Sequence, residues 1–257
     1  MRFAICQMDI KMEDTKYNVF KAEEAIKIAA DKKADIILFS EMSFTGFSMN
    51  VNLTKDTNGE VLSKIKNYAF KNNISVGYGW VNKDKELAEN HYSIIDITGT
   101  VVLDYIKIHP FSYADENKYF LSGNEIKYCR MNNVTLSTFI CYDLRFPEIF
   151  QVASKVADVI IVAANWTDSR AEHWNCLLKA RAIENQVYVI GINCTGRQGE
   201  IKYSGNSCII NPNGNIVSKL NEEEKIIFYD IEDDVMKYRN EFPTKKDRKT
   251  SLYKALL

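Results

Sequence analysis

Apolar runs in this chain stop abruptly at polar residues, and stripes of helical period separate them. The alternation predicts a strand over 3–9, a helix over 14–31, a strand over 35–40, a helix over 59–72 and strands over 74–81, 91–97 and 100–106. It continues with strands over 126–130 and 134–140, a helix over 147–155, a strand over 157–163, a helix over 170–185 and a strand over 187–193. Strands over 205–211, 215–219 and 225–231 and a short helix over 232–240 complete the pattern. The runs Asp35–Glu41 and Asp158–Trp166 are apolar without alternation until their polar ends, as strands buried on both faces are. His91–Thr100 instead reads as a hairpin with Gly99 in its turn, so the sheets should be mixed. A four-layer α/β sandwich, with helices outside two packed sheets, satisfies both patterns.

Composition narrows the class. A length of 257 residues with 46% hydrophobic positions supports a substantial core, and the 4 prolines and 11 glycines are scattered without forming a linker. One domain over 1–257 is therefore expected, its last stretch, about 244–257, forming a tail. The formal net charge of −1 offers no general attraction to nucleic acid or to an anionic membrane. The local basic cluster Lys245-Lys246-Asp247-Arg248-Lys249 reads as part of a solvated tail. The amino-terminal residues Met1–Asp9 turn polar too soon for a signal peptide, and no later run approaches membrane-spanning length, so a cytoplasmic location is expected. Six cysteines, at positions 6, 129, 141, 176, 194 and 208, lack any C-x-x-C pair, and His91, His109 and His173 show no ligand spacing with them. Reduced thiols are expected, and neither a metal nor another cofactor is indicated.

The candidate chemistry sits where strands end. Thr135–Ile140 alternates like a strand, Pro147 can open a helix, and between them Cys141 occupies a strand-to-turn corner within Cys141-Tyr142-Asp143-Leu144-Arg145-Phe146. Turning backbone at such a corner leaves N–H groups free to hold an oxyanion. Two other strand ends carry Ser40-Glu41 and Lys107-Ile108-His109-Pro110, and the carboxyl ends of strands far apart in sequence can meet in one crevice. Glu41 can then take the proton from Cys141, while Lys107 supplies fixed positive charge to a tetrahedral oxyanion. Each residue alone has a blander role: a small buried hydrophobe for Cys141, a helix start for Glu41, a solvated strand lysine for Lys107. Cys6, Cys176, Cys194 and Cys208 fall inside strand or helix patterns and are assigned to packing, and Cys129 before Arg130 reads as an ordinary strand end.

Three segments in this order, Phe39–Phe47, Tyr105–Phe111 and Cys141–Glu148, resemble the nitrilase, or carbon–nitrogen hydrolase, superfamily, whose members use a Glu-Lys-Cys triad. The resemblance spans nearly the whole chain. It implies Glu41 as general base, Lys107 as the oxyanion-stabilising lysine, Cys141 as the nucleophile that forms a thioester, and the Tyr142 backbone N–H as the second oxyanion donor. Ala114-Asp115-Glu116-Asn117 is similar to the segment carrying a second family glutamate, which implies that Glu116 hydrogen-bonds near Lys107 and positions substrate. Ala164–Trp174 and Lys179–Asn185 also resemble family segments, which places Asn165 and Trp166 beside Cys141; the planar guanidinium of Arg170 suits a substrate carboxylate. Arg181 and Glu184, three apart on one helix, are read as a buttressing pair on a stripe that includes Leu177, Leu178, Ala182 and Ile183.

Within the superfamily the loop Ser112–Gly123 and the ending around Tyr238–Pro243 and Arg248–Tyr253 are similar to the omega-amidase branch. That likeness implies hydrolysis of the distal amide of 2-oxoglutaramate or 2-oxosuccinamate to a dicarboxylate and ammonia. Nitrile hydrolysis, N-carbamoyl-amide hydrolysis and a non-catalytic binding relative are the alternatives. A nucleotide-binding protein is not, because neither G-x-G-x-x-G nor a P-loop is present. The resemblance also implies a homodimer or larger homo-oligomer with sheets stacked across an αββα-αββα interface. The segment from Asp233 to Leu257, with Leu252, Tyr253, Leu256 and Leu257, is then a candidate to wrap a partner subunit, or else a partly disordered tail.

Overall fold

The computed structural model describes residues 1–56, 59–83, 86–231 and 234–256. The positions 232–233 expected to open the last predicted helix, and Leu257, lie outside them. The chain runs β1 (Arg2–Gln7), α1 (Thr15–Asp31), β2 (Ile36–Leu38), α2 (Val51–Thr54), α3 (Glu60–Asn72), β3 (Ser75–Asn82), β4 (Glu89–Ile95) and β5 (Val101–Ile106). It continues with β6 (Tyr128–Met131), β7 (Val134–Ile140), α4 (Pro147–Ala153), β8 (Val159–Ala164), α5 (Ala171–Asn185), β9 (Tyr188–Asn193), β10 (Thr195–Gln198) and β11 (Ile201–Ser204). β12 (Cys208–Ile210), β13 (Ile216–Lys219), β14 (Lys225–Asp230), α6 (Val235–Glu241) and α7 (Thr250–Leu256) complete it.

Among the described residues the strands form two six-stranded sheets, β14-β1-β2-β3-β4-β5 and β13-β12-β9-β8-β7-β6, and a separate ribbon β10-β11. Both sheets are mixed. β1, β2 and β3 are parallel, as are β7, β8 and β9, and antiparallel strands flank each trio. Because β4 is antiparallel to both neighbours, β5 points the same way as β2, so their carboxyl ends share one rim of the first sheet.

The two-residue period of strands divides the core. Phe3, Ile5, Ile36 and Leu38 face the second sheet and join the large cluster containing Phe139, Ile161 and Ile190. Their alternates Ala4, Cys6, Ile37 and Phe39 pack under Val19, Ala22 and Ile26 of α1 and Ile65 and Ala69 of α3. Spacings of three and four place those α1 residues on one face, and the Asp14 side chain caps the helix by accepting from the Tyr17 N–H at 3.1 Å. Helix, sheet, sheet and helix thus stack in the four layers that the apolar runs called for.

Several expectations need correction. The basic cluster is solvated only in part: Lys246, Asp247 and Lys249 are exposed, but Lys245 donates to the Ser154 carbonyl and is half-buried, Arg248 donates to the Glu184 carbonyl at 2.6 Å, and residues 250–256 are helical. The last carbonyls of a helix have no partner within it and carry partial negative charge, which is what attracts these cations. Arg239 joins them, donating to the carbonyls of Gln186 at 3.2 Å and of Ser154 and Ala157 at 3.3 Å. Cys176 is exposed, because the buried stripe of α5 is Trp174, Leu178, Arg181, Ala182 and Asn185, and position 176 lies on the opposite face. Ile183 is also exposed. Its stripe place is taken by Arg181, whose guanidinium donates to the Leu144 carbonyl at 3.1 and 2.7 Å and to Glu184 at 3.0 Å.

Candidate active site

Glu41, Lys107, Cys141 and Asn165 each follow the last residues of a strand, β2, β5, β7 and β8 respectively, and they meet where the two sheets face each other. Lys107 is fully buried; its Nζ lies 2.8 Å from Glu41 Oε1 and 2.8 Å from Glu116 Oε2. Both carboxylates are fully buried too, although Glu116 comes from a loop segment. Its Oε2 also accepts from the Phe111 N–H at 2.5 Å, which closes the 3-10 turns between residues 112 and 118 over the lysine.

Asn90, at the start of β4, completes the carboxylate network. Its Nδ2 donates to Glu41 Oε1 at 2.9 Å and to Glu116 Oε1 at 3.0 Å. Sequence reasoning missed it, since a single asparagine before an apolar run carries no distinguishing signal. The other Glu41 oxygen accepts from the Asn165 N–H at 3.0 Å, while Asn165 Nδ2 donates back to the Glu41 carbonyl at 2.8 Å. The Glu41 loop runs directly across β3. A Cβ at Gly79 would lie 2.4 Å from the Met42 nitrogen, so only glycine fits beneath that loop.

Cys141 occupies the left-handed region at φ +47°, a conformation that costs a non-glycine residue about 1–3 kcal/mol and marks a backbone held by its surroundings. It opens a 3-10 turn, Cys141–Arg145, whose first N–H groups, that of Tyr142 included, have no acceptor within the turn. The thiol is buried beside Glu41. Burial foremost, and then the negative charge of Glu41, push its pKa well above the ordinary thiol value, with Lys107 pulling the other way. Burial likewise works against the charged form of Lys107, but the adjacent Glu116 and Glu41 outweigh it and hold the ammonium above its usual pKa. The resting site therefore holds a neutral thiol beside an ammonium.

The carbon-nitrogen hydrolase family model matches residues 2–240 of this chain. The chain belongs to the carbon–nitrogen hydrolase family. A hydrolase in the agr operon of Staphylococcus aureus is 31% identical over 262 residues, covering 99% of this chain and 100% of that protein. The 2-oxoglutaramate amidase of Bacillus subtilis (strain 168) is 34% identical over 253 residues, covering 96% and 97%. Among solved structures, a CN-hydrolase superfamily protein of Xanthomonas campestris with an arsenic adduct in its active site superimposes with a TM-score of 0.91 at 23% identity, covering 96% of this chain and 97% of that one.

In this hydrolase Cys141 lies against a pocket of about 230 Å³, lined chiefly by Phe47, Phe111, Tyr113, Tyr142, Trp166 and Tyr203 together with Asn165 and two arginines. Arg170 rests over the Tyr113 ring at 5.0 Å and contacts Thr167 Oγ1 at 3.4 Å. Arg145, which sequence reasoning left without a role, lies over the Trp166 ring at 4.7 Å and contacts His173 Nδ1 at 3.3 Å. Burial lowers the Arg145 pKa, as does the like charge of Arg170, with Tyr142 opposing. Among the described residues neither arginine forms an ion pair with a carboxylate. Trp166 is placed by Asn193, which accepts from its N–H at 2.7 Å and donates to its carbonyl at 2.9 Å. No group of His, Cys, Asp and Glu suited to a metal ion, and no helix long and apolar enough to cross a membrane, occurs among the described residues.

Proposed function

We propose that this enzyme hydrolyses the terminal amide of a small carboxylate-bearing substrate, with 2-oxoglutaramate and 2-oxosuccinamate as the best-fitting substrates. The observation that carries this reading is the pair Arg145 and Arg170 on the wall of the pocket that reaches Cys141. Two guanidiniums without carboxylate partners supply forked donors matched to a substrate carboxylate or 2-oxo acid. The aromatic lining accommodates a short methylene chain, and the name of the Bacillus relative points to the same substrate class.

In this mechanism Glu41 takes the Cys141 thiol proton as the sulfur attacks the amide carbon. Because the thiol pKa is raised, deprotonation accompanies attack rather than preceding it. The carbonyl oxygen becomes an oxyanion held by the Lys107 ammonium and the Tyr142 N–H. Glu41 then passes the proton to the departing nitrogen, the C–N bond breaks, and ammonia leaves a thioester on Cys141. Water, deprotonated by Glu41, attacks the thioester and releases the acid while the proton returns to sulfur. Glu116 and Asn90 keep Lys107 charged and Glu41 oriented through the bonds described above. Asn165 and Trp166 shape the pocket floor.

The test is ammonia release from 2-oxoglutaramate, 2-oxosuccinamate, glutamine, asparagine, an N-carbamoyl amino acid and an aliphatic nitrile. The oxo-acid amides should have the highest kcat/KM, and Cys141→Ala should abolish turnover while remaining folded. A preference for the carbamoyl compound or the nitrile overturns the substrate assignment. Ammonia release by folded Cys141→Ala at the parent rate overturns the mechanism.

A further inference from the structure

The catalytic groups belong to different halves of the sandwich. Lys107, Glu41, Glu116 and Asn90 follow strands of the first sheet or sit on it, whereas Cys141 follows β7 of the second. Their separation is therefore a tertiary quantity, set by whatever crosses between the sheets at this rim. One such link is Asn165 to Glu41. Another is Asp143, two residues after the nucleophile and fully buried.

Asp143 Oδ2 accepts from the Ile140 N–H at 3.0 Å and from the Tyr105 hydroxyl at 2.7 Å. Oδ1 accepts from the His109 N–H at 3.0 Å and lies 2.7 Å from His109 Nδ1, which must carry the proton to donate to a carboxylate. A side chain that merely capped its own turn would need only the Ile140 bond. The other three partners lie 34 and 38 residues away and flank Lys107 by two positions on each side. The His109 ring also stacks on Phe146, just beyond the turn, at 3.7 Å between centroids and 9° between planes.

We propose that Asp143 is a positioning residue that clamps the Lys107 segment to the Cys141 elbow and so sets the distance between the nucleophile and the oxyanion-stabilising ammonium. The inference rests on the amide-hydrolysis reading above for its kinetic consequence, though the clamp itself is a matter of geometry. The elbow holds itself only in part: Cys141 is in the left-handed region, and the Asp143 carboxylate, from within the same turn, fixes the residue before it by accepting from the Ile140 N–H. Tyr105 and His109 then tie that fixed elbow to the chain on either side of Lys107.

Tyr105→Phe and His109→Phe each keep a ring in place, against Phe139 and Phe146 respectively, and remove one bond to Asp143; Tyr105→Phe also removes the acceptor of the Ile108 N–H, at 3.2 Å, beside Lys107. Asp143→Asn is the severer variant, since its amide NH₂ must face a backbone N–H at Ile140 or His109. Misplacing a catalytic group by about 1 Å can cost a hundredfold in rate. We expect each single ring variant to lower kcat about tenfold and the double variant about a hundredfold, with KM within about twofold of the parent. Alkylation of Cys141 by iodoacetamide proceeds by direct displacement at carbon and forms no oxyanion, so its rate should stay within about twofold. Crystal structures of parent and double variant should show the Lys107 Nζ to Cys141 Sγ distance changed. A parallel fall in hydrolysis and alkylation, a change confined to KM, unchanged kcat, or an unchanged distance would each overturn the clamp. A parent enzyme that turns over no amide overturns the functional reading instead, and the structural comparison then decides the clamp alone.

Discussion

Replacing Lys107 by Met leaves two fully buried carboxylates facing each other without a cation. In the parent, two carboxylates against one ammonium leave a single net negative charge in the site. Removing the ammonium doubles that charge. Breaking one buried pair costs about 3–5 kcal/mol, and Lys107 serves two, so Lys107→Met should lose about 5 kcal/mol or more at pH 8. That is a large part of the roughly 5–15 kcal/mol by which domains are stable. Glu116→Gln keeps the pair between Lys107 and Glu41 and brings the site to neutrality. It weakens the bonds from Lys107, Asn90 and the Phe111 N–H, each worth about 1.5–3 kcal/mol while the acceptor is charged, but leaves no carboxylate without a cation and should cost less than Lys107→Met. The pH dependence follows from linkage. When folded Lys107→Met takes up a proton to relieve the repulsion, its native state binds a proton that the unfolded chain lacks, so its stability relative to the parent rises as pH falls. Urea denaturation followed by tryptophan fluorescence at pH 8 and pH 5.5 measures both effects. If Lys107→Met loses no more than Glu116→Gln at pH 8, or if its deficit widens at pH 5.5, the account of the site as a cation-compensated carboxylate pair is wrong.

Arg145→Gln and Arg170→Gln should each raise KM for 2-oxosuccinamate by about tenfold, the value of one charged hydrogen bond, and leave KM for a neutral amide such as propionamide unchanged. Steady-state kinetics on the two substrates decides it, and an equal loss on both would remove the carboxylate assignment. Gly79→Ala should cost about 1–3 kcal/mol in thermal or urea denaturation and lower kcat, because the new methyl group must displace the backbone that carries Glu41; parent-like stability and rate would show that the loop yields freely. Burial, reinforced by Arg239 and Arg248, lowers Lys245 from the usual 10.5 to about 7. The unfolded chain then binds the extra proton between those values, and this group's contribution to stability rises with pH through that window. Lys245→Met should therefore gain most over the parent below pH 7 and lose that lead towards pH 10; equal differences at pH 6.5 and 9.5 would contradict it.

Some of the site could be read directly because strands end in a recognisable way. Glu41, Lys107 and Cys141 each stand where an apolar run stops, and Asn165 was placed beside Cys141 by the family resemblance of Ala164–Trp174; their meeting on one rim follows from the direction of their strands. Asn90 and Asp143 could not be found so. Each is one polar residue whose meaning lies in partners from another segment, 49 and 38 residues away at Glu41 and Tyr105. Arg145 was in plain view four residues after Cys141, yet only the turn shows that it lies over Trp166 and reaches the same pocket as Arg170. The ribbon β10-β11 escaped because it is short, interrupted by Gly196 and Gly199, and pairs with neither sheet. The basic tail was misread in part because two of its charges find helix carbonyls on α4 and α5, and backbone acceptors leave no trace in side-chain pattern.

Hydrophobic periodicity, a local property, was enough to dictate layers, mixed sheets and the place of Cys141 at a strand corner. The spacing between thiol, carboxylate and ammonium was not local. It depends on how two sheets pack and on buried polar links across their rim, whose energies arise only when distant groups leave water together. Packing likewise sets two arginines, Arg145 and Arg170, on the lining of the pocket that reaches Cys141.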